Sequence, residues 1–328
     1  MESLERGIMI VNKYEAGFRP RFSSFTMDSY LLWNSRKIIE RFLAKEDYKL
    51  FERWLKKHYE FEDIRNETRN YLAHYYDKGE MPLFSSVEIE VINRCNGSCP
   101  FCPVNKNTDP RKLIKMETSL FHKIIDELGE LDYNGRLALH SNNEPFLDDR
   151  IIDFAKYARE HVPHAFLYMY TNGTLLTIEK FNAIIPYLDR MVIDNYDDEL
   201  RLHDNVKKIH LMCRRNGRLD RKVEIHVRKI NEVLNTRGGQ SPNNNKRRTY
   251  SMSCILPFKQ MVIRPDGKTS LCCNDPYGKY SLANLNELNI KDAWYSEPYQ
   301  KIRSQIRKGR SCIDLCRYCD TMPGPSGY

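Results

Sequence analysis

The sequence has no apolar run near the roughly 18 residues that a membrane span needs. Its first residues carry charge inside their short apolar stretch, so no export signal is expected there. No internal repeat is evident. Residues 1–84 hold fifteen Lys and Arg against fourteen Asp and Glu, which excludes a basic nucleic-acid arm. They also read as all-helical, with no clear winged helix for recognising a peptide. Aromatic residues do not interleave the most basic segment, so nucleic acid is not an expected partner. These absences point to a cytoplasmic protein without a membrane segment.

What is present supports a folded chain. Of 328 residues, 41% are apolar and 29% charged, enough for a sizeable core. The net charge of +8 is uneven: residues 201–248 hold fourteen Lys and Arg against four Asp and Glu. This stretch is either a solvated face or a field that attracts an anionic substrate.

Three regions are expected: a helical extension over 1–84, a core over 85–240 and a smaller unit over 241–328. In the first, the segment 36–61 repeats apolar residues at helical spacing. In the second, strands predicted at 86–93, 136–140, 165–170, 190–194 and 223–227 alternate with helices at 119–131, 150–161, 178–188 and 205–215. Such alternation predicts βαβ units and a parallel sheet. The segment 236–248 is rich in Gly, Pro and Asn and reads as a boundary. Beyond it, Pro265-Asp266-Gly267 predicts a hairpin turn, and a helix is expected near 291–307.

The ten cysteines are the informative residues. Without an export signal, clustered cysteines more often bind metal than form disulfides. Cys95, Cys99 and Cys102 directly follow the first predicted strand. Three thiolates suit three irons of a 4Fe–4S cube and leave one iron open. A zinc site lacking its fourth ligand, or three core thiols, fits the same spacing. Cys254, Cys272, Cys316 and Cys319 form a second set, suited to zinc or to a fully ligated cube.

The motif CxxxCxxC after a first strand resembles the radical SAM superfamily. The resemblance implies a partial (β/α)6 barrel, with S-adenosylmethionine chelating the open iron and yielding a 5′-deoxyadenosyl radical. It implies that Asn142, Asn143 and Glu144 take the place of the family's Gly-Gly-Glu, with Glu144 binding the methionine amino group. Thr171 and Asn172 would lie near the ribose, with Asp194 and Asn195 as a further ribose contact. Asp194 and Asn195 also suit an ordinary turn. Phe101 would pack by the adenine, or simply pack in the core.

The C-terminal pattern SCxxPF, PDGK, CC and CxxCD resembles the SPASM/Twitch extension. It implies one auxiliary 4Fe–4S cluster on Cys254, Cys272, Cys316 and Cys319. Cys273 and Cys312 would then be extra thiols.

Within the superfamily, CNxxCxxCP, YTNGTLLT, NTRGGQ and MSCILP resemble dehydrogenases that oxidise a cyclitol alcohol. By that resemblance Arg237 reaches the substrate hydroxyl; otherwise it is a surface loop residue. The implied activity is oxidation of a small polar, sugar-like alcohol, with electrons from a reductase, flavodoxin or ferredoxin. Peptide modification is the alternative, with Cys213, Cys273 or Cys312 as a hydrogen donor if it is an epimerisation. A zinc scaffold docking RNA would leave the Asn142–Glu144 and Thr171–Gly173 motifs unexplained.

Overall fold

The computed structural model describes residues 63–244, 250 and 252–323. Of the expected helical extension, residues 63–71 form a helix that passes into a wider turn at Leu72–Tyr76. The helix expected over 36–61 lies outside the described residues.

The strands follow from alternation. In β1 (Ser86–Ile89), Val87 and Ile89 enter the core while Glu88 faces the other way. The same parity holds in β3 (Phe166–Thr171) and β4 (Arg190–Tyr196). There Leu167, Met169, Met191 and Ile193 are core, and Tyr170, Asp194 and Tyr196 face a cavity. β2 (Arg136–Ala138) lies between β1 and β3, and β5 (Val223–Arg228) lies beside β4. These five strands run parallel in the order β5-β4-β3-β2-β1. A sixth parallel strand, β6 (Gln260–Ile263), joins the free edge of β1 with Ser86 opposite Gln260. The sheet stays open, as a partial barrel does, and continues antiparallel into β7 (Lys268–Ser270) and β8 (Ser281–Asn284).

Helices cover the core face. They are α1 (Thr118–Glu130), α2 (Ile151–His161), α3 (Ile178–Ile184) and α4 (Asp204–Arg214). Phe121 of α1 stacks on Phe154 of α2 with ring centroids 4.1 Å apart, both nearly inaccessible. The short α5 (Gly217–Lys222) buries no residue. Much of the basic stretch thus sits on α4 and α5.

Two expected elements differ in extent. The first strand ends at Ile89, and Ile92 instead bridges Lys115. The helix expected near 291–307 is two, α6 (Ile290–Tyr295) and α7 (Glu297–Lys308). Ser296 is extended between them and Pro298 opens the second, since proline has no N–H to continue a helix. The hairpin turn forms as predicted, with Gly267 at φ +79°.

Candidate active site

The C-terminal ends of the strands meet around a cavity of about 370 Å³, within the range of small-molecule sites. Loops after β1, β2 and β3 supply most of its polar lining.

The loop after β1 carries Cys95, Cys99 and Cys102, and all three line the cavity. The Cys102 N–H donates to the Cys99 carbonyl at 3.0 Å, and the Gly97 N–H lies 3.3 Å from the Cys95 sulfur. Arg111 braces the loop. It pairs with Asp109 at 2.9 Å and Glu90 at 3.3 Å, and donates to the Asn93 carbonyl at 2.9 Å. Burial pushes the Cys95 and Cys99 thiols up to about 12, so they stay neutral until a metal replaces the proton.

Asn142, Asn143 and Glu144 follow β2. The Glu144 N–H donates to the Arg94 carbonyl at 2.9 Å, tying this segment to the cysteine loop. The Glu144 carboxylate accepts from the Thr171 hydroxyl and from the Asn172 N–H, each at 2.8 Å. Burial raises its pKa to about 7 against those donors. Asn143 lines the cavity, and its Nδ2 is buried without a partner.

Thr171 and Asn172 follow β3 and also line the cavity. Asn172 Nδ2 lies 3.8 Å from the Cys95 sulfur. Gly173 closes this turn at φ +74°. A Cβ there would lie 2.7 Å from Ile193, so only glycine fits.

Phe101 lines the cavity with its ring 5.4 Å from that of Tyr196. Asp194 lines it too and holds His226 Nδ1 at 3.0 Å. Asn195 does not. As the next residue on the strand it points to the other face, donating to the Arg201 carbonyl at 2.8 Å and accepting from the His203 N–H at 2.9 Å. It therefore holds the loop after β4 instead of offering a ribose contact.

Arg237 lines the cavity from the loop that follows β5. Arg237, Gly238 and Gly239 are three consecutive left-handed residues, at φ +49°, +63° and +75°. Arg237 Nη2 donates to the Asn142 side-chain oxygen, and Asn142 Nδ2 donates to the Cys273 carbonyl at 3.2 Å. Of the basic stretch, Arg237 alone among the described residues lines the cavity. The other described basic residues of this stretch do not line it.

Glu88 joins the site without a motif to mark it. It lines the cavity from β1, accepting from Ser141 Oγ at 2.7 Å and Gln260 Nε2 at 2.8 Å. Burial lifts its pKa to about 7. His140 lines the same cavity, and burial lowers its pKa to about 3, so it is neutral.

Cys254, Cys272, Cys316 and Cys319 form a second group, all buried and near enough to influence one another's ionisation. Cys273 lines the cavity, so adjacent cysteines serve the two places. The two units are tied together. The Thr236 N–H, one residue before Arg237, donates to Asp320 at 2.7 Å, and Asp320 follows Cys319.

Among the described residues, no three or more His, Cys, Asp or Glu side chains gather closely enough for one metal ion. Thiolates on a single zinc lie within about 4 Å of each other, whereas in a cube each thiolate takes its own iron. Three free thiols beside a cavity with an unpartnered amide, and four buried thiols together, fit an open cube and a closed one.

Comparison with known proteins agrees. The radical SAM superfamily model matches residues 89–228, and that of SPASM, an iron–sulfur cluster-binding domain, matches 254–320. The S-adenosyl-L-methionine-dependent 2-deoxy-scyllo-inosamine dehydrogenase of Niallia circulans is 26% identical over 243 residues, 73% of this chain and 94% of the relative. The crystal structure of BtrN in complex with AdoMet and 2-DOIA is similar at 25% identity and TM-score 0.66, covering 75% of this chain and 97% of that one. BtrN in an open conformation gives 24% and 0.55, covering 73% and 94%. The chain thus carries a radical SAM domain over 89–228 and a SPASM iron–sulfur domain over 254–320, with 4Fe–4S clusters and S-adenosylmethionine as their cofactors.

Proposed function

We propose that this protein oxidises a carbinol carbon of a small polar, sugar-like or cyclitol substrate to a carbonyl. The relative from Niallia circulans is by name a dehydrogenase of such a compound. The observation that carries the reading is the shared cavity. Its lining includes the three-cysteine loop and Cys273, whose neighbour Cys272 belongs to the second cysteine group. A substrate held there lies beside both groups.

We assign 85–240 to the radical SAM core and 241–328 to the auxiliary-cluster domain. Cys95, Cys99 and Cys102 would hold the cluster that binds S-adenosylmethionine; Cys254, Cys272, Cys316 and Cys319 would hold the second. When bound, these groups supply a carbon-centred radical that takes a hydrogen atom and a sink for one electron. Glu144 presents a carboxylate to the cosubstrate's ammonium, held in place by Thr171 and Asn172. Phe101 and Tyr196 offer an apolar surface for the adenine, and Asp194 a polar contact for the ribose. Arg237 donates to the hydroxyl oxygen of the substrate, and Glu88 takes the hydroxyl proton. One hydrogen atom, one proton and one electron leave the carbinol, which balances its conversion to a carbonyl. A reductase, flavodoxin or ferredoxin feeds the first cluster, and the reducing cytoplasm suits ten free cysteines.

A second reading has one observation in its favour. Cys273 lines the cavity, whereas Cys213 is fully buried in the core and Cys312 is exposed. A thiol in that place suits return of a hydrogen atom, as in epimerisation of a peptide. Turnover in deuterated buffer separates the two. Oxidation gives a product two mass units lighter with no solvent deuterium on carbon. A product of unchanged composition carrying one deuterium overturns the dehydrogenase and assigns Cys273 as donor.

A further inference from the structure

Two arginines in the C-terminal part have no solvent exposure, Arg303 and Arg310. Their surroundings differ. Arg303 lies over the Trp294 ring at 3.9 Å and the Tyr299 ring at 5.0 Å, so two aromatic faces meet its charge. Arg310 spends Nη1 on the Cys319 carbonyl at 3.0 Å and the Thr321 carbonyl at 2.7 Å. Its Nε and Nη2 are buried with no hydrogen-bond partner. The thiols of Cys254, Cys272, Cys316 and Cys319 lie near enough to act on it once they ionise.

A buried guanidinium with two idle donors is expensive unless an anion meets it. The four cysteines become that anion only as thiolates on a cluster. We propose that Arg310 is a positioning residue for the second cluster: its free Nε and Nη2 donors face the cluster's sulfurs and raise its reduction potential. Hydrogen bonds to sulfur and nearby charge are established levers on such potentials. A positive charge favours the more negative, reduced form, so the cluster becomes a better electron acceptor. This inference rests on the assignment of the second cluster and not on the identity of the substrate.

The test uses the full-length, cluster-loaded protein, reduced stepwise and followed by electron paramagnetic resonance. A variant with Cys95, Cys99 and Cys102 all changed to Ala identifies the signal of the second cluster. In Arg310→Gln that signal should appear at lower potential, by about 59 mV or more, a tenfold change for one electron. Arg310→Lys, which keeps the charge, should recover part of the shift. An unchanged potential in Arg310→Gln with full iron content overturns the proposal. Where Arg310→Gln does not load, thermal melts of the cluster-free chains decide. Arg310→Gln should then melt no lower than wild type, because without the cluster the cost of burying a charge with unpartnered Nε and Nη2 offsets the two bonds that Nη1 makes. A clear loss of stability in the cluster-free Arg310→Gln chain makes Arg310 an ordinary structural residue and overturns the proposal. Absence of iron from the four cysteines in wild type defeats the cluster assignment itself, a separate outcome.

Discussion

Arg237 donates to the side-chain oxygen of Asn142, joining the loop after β5 to the motif after β2. Asn142 passes the link on to the Cys273 carbonyl, so the two cysteine-bearing regions meet at one amide. Arg237→Ala should lower turnover while leaving iron content unchanged. A double-mutant cycle with Asn142→Ala should show a coupling of roughly 0.5–3 kcal/mol in kcat/KM. Additive effects would mean that Arg237 acts on the substrate without help from Asn142.

Glu144 is held by Thr171 and Asn172 from consecutive positions. Glu144→Gln keeps the size and removes the charge. Binding of S-adenosylmethionine to the loaded enzyme should weaken by roughly 1.5–3 kcal/mol, the worth of a charged hydrogen bond. Isothermal titration measures it, and unaltered binding would refute the assignment of Glu144 to the ammonium.

The pKa of Glu88 stands raised to about 7 by burial, against an ordinary carboxyl value of 4.5. As a base it must be ionised, so turnover should rise with pH through about 7. Glu88→Gln should flatten that limb and cost about 10²-fold or more in rate. Stability runs the opposite way. The folded chain keeps the Glu88 proton longer than the unfolded chain does, so this contribution is complete below 4.5 and lost as pH rises through about 7. Urea midpoints of the cluster-free chain should therefore fall less between pH 5 and 8 in Glu88→Gln than in wild type.

Phe121 and Phe154 hold α1 against α2 at the centre of the core. Phe121→Ala should destabilise by about 3–5 kcal/mol, the cost of a buried aromatic cavity. Denaturant unfolding measures this, and a loss below 1 kcal/mol would mean that the helices repack freely.

Most of the α/β order was legible, because periods of two and of three to four alternate along 86–228. The cysteine loop, Asn142–Glu144 and Thr171–Gly173 were legible too, since each follows a strand where a site forms. The misses have physical causes. Glu88 and Glu90 stand at alternate positions among Val87, Ile89 and Val91, and that pattern was the available signal for an inward polar face. Asn195 stands beside Asp194 in sequence but, as its neighbour on a strand, points to the opposite face. The fate of the basic stretch was not legible, because charge counts do not say which helix face meets a cavity. Nor was Arg310, whose meaning depends on four cysteines from distant segments.

The pairing of β6 with β1 has a mechanical consequence. β1 leads directly into the first cysteine loop, while Cys254 and Cys272 flank β6 and β7. The first group and half of the second are thus rooted in adjoining strands of one hydrogen-bonded sheet. Under the proposed cluster assignment, the span from substrate to acceptor would be set as the chain folds. The acceptor would then lie in reach without movement of one half against the other, and its own energetics would govern how fast the electron departs.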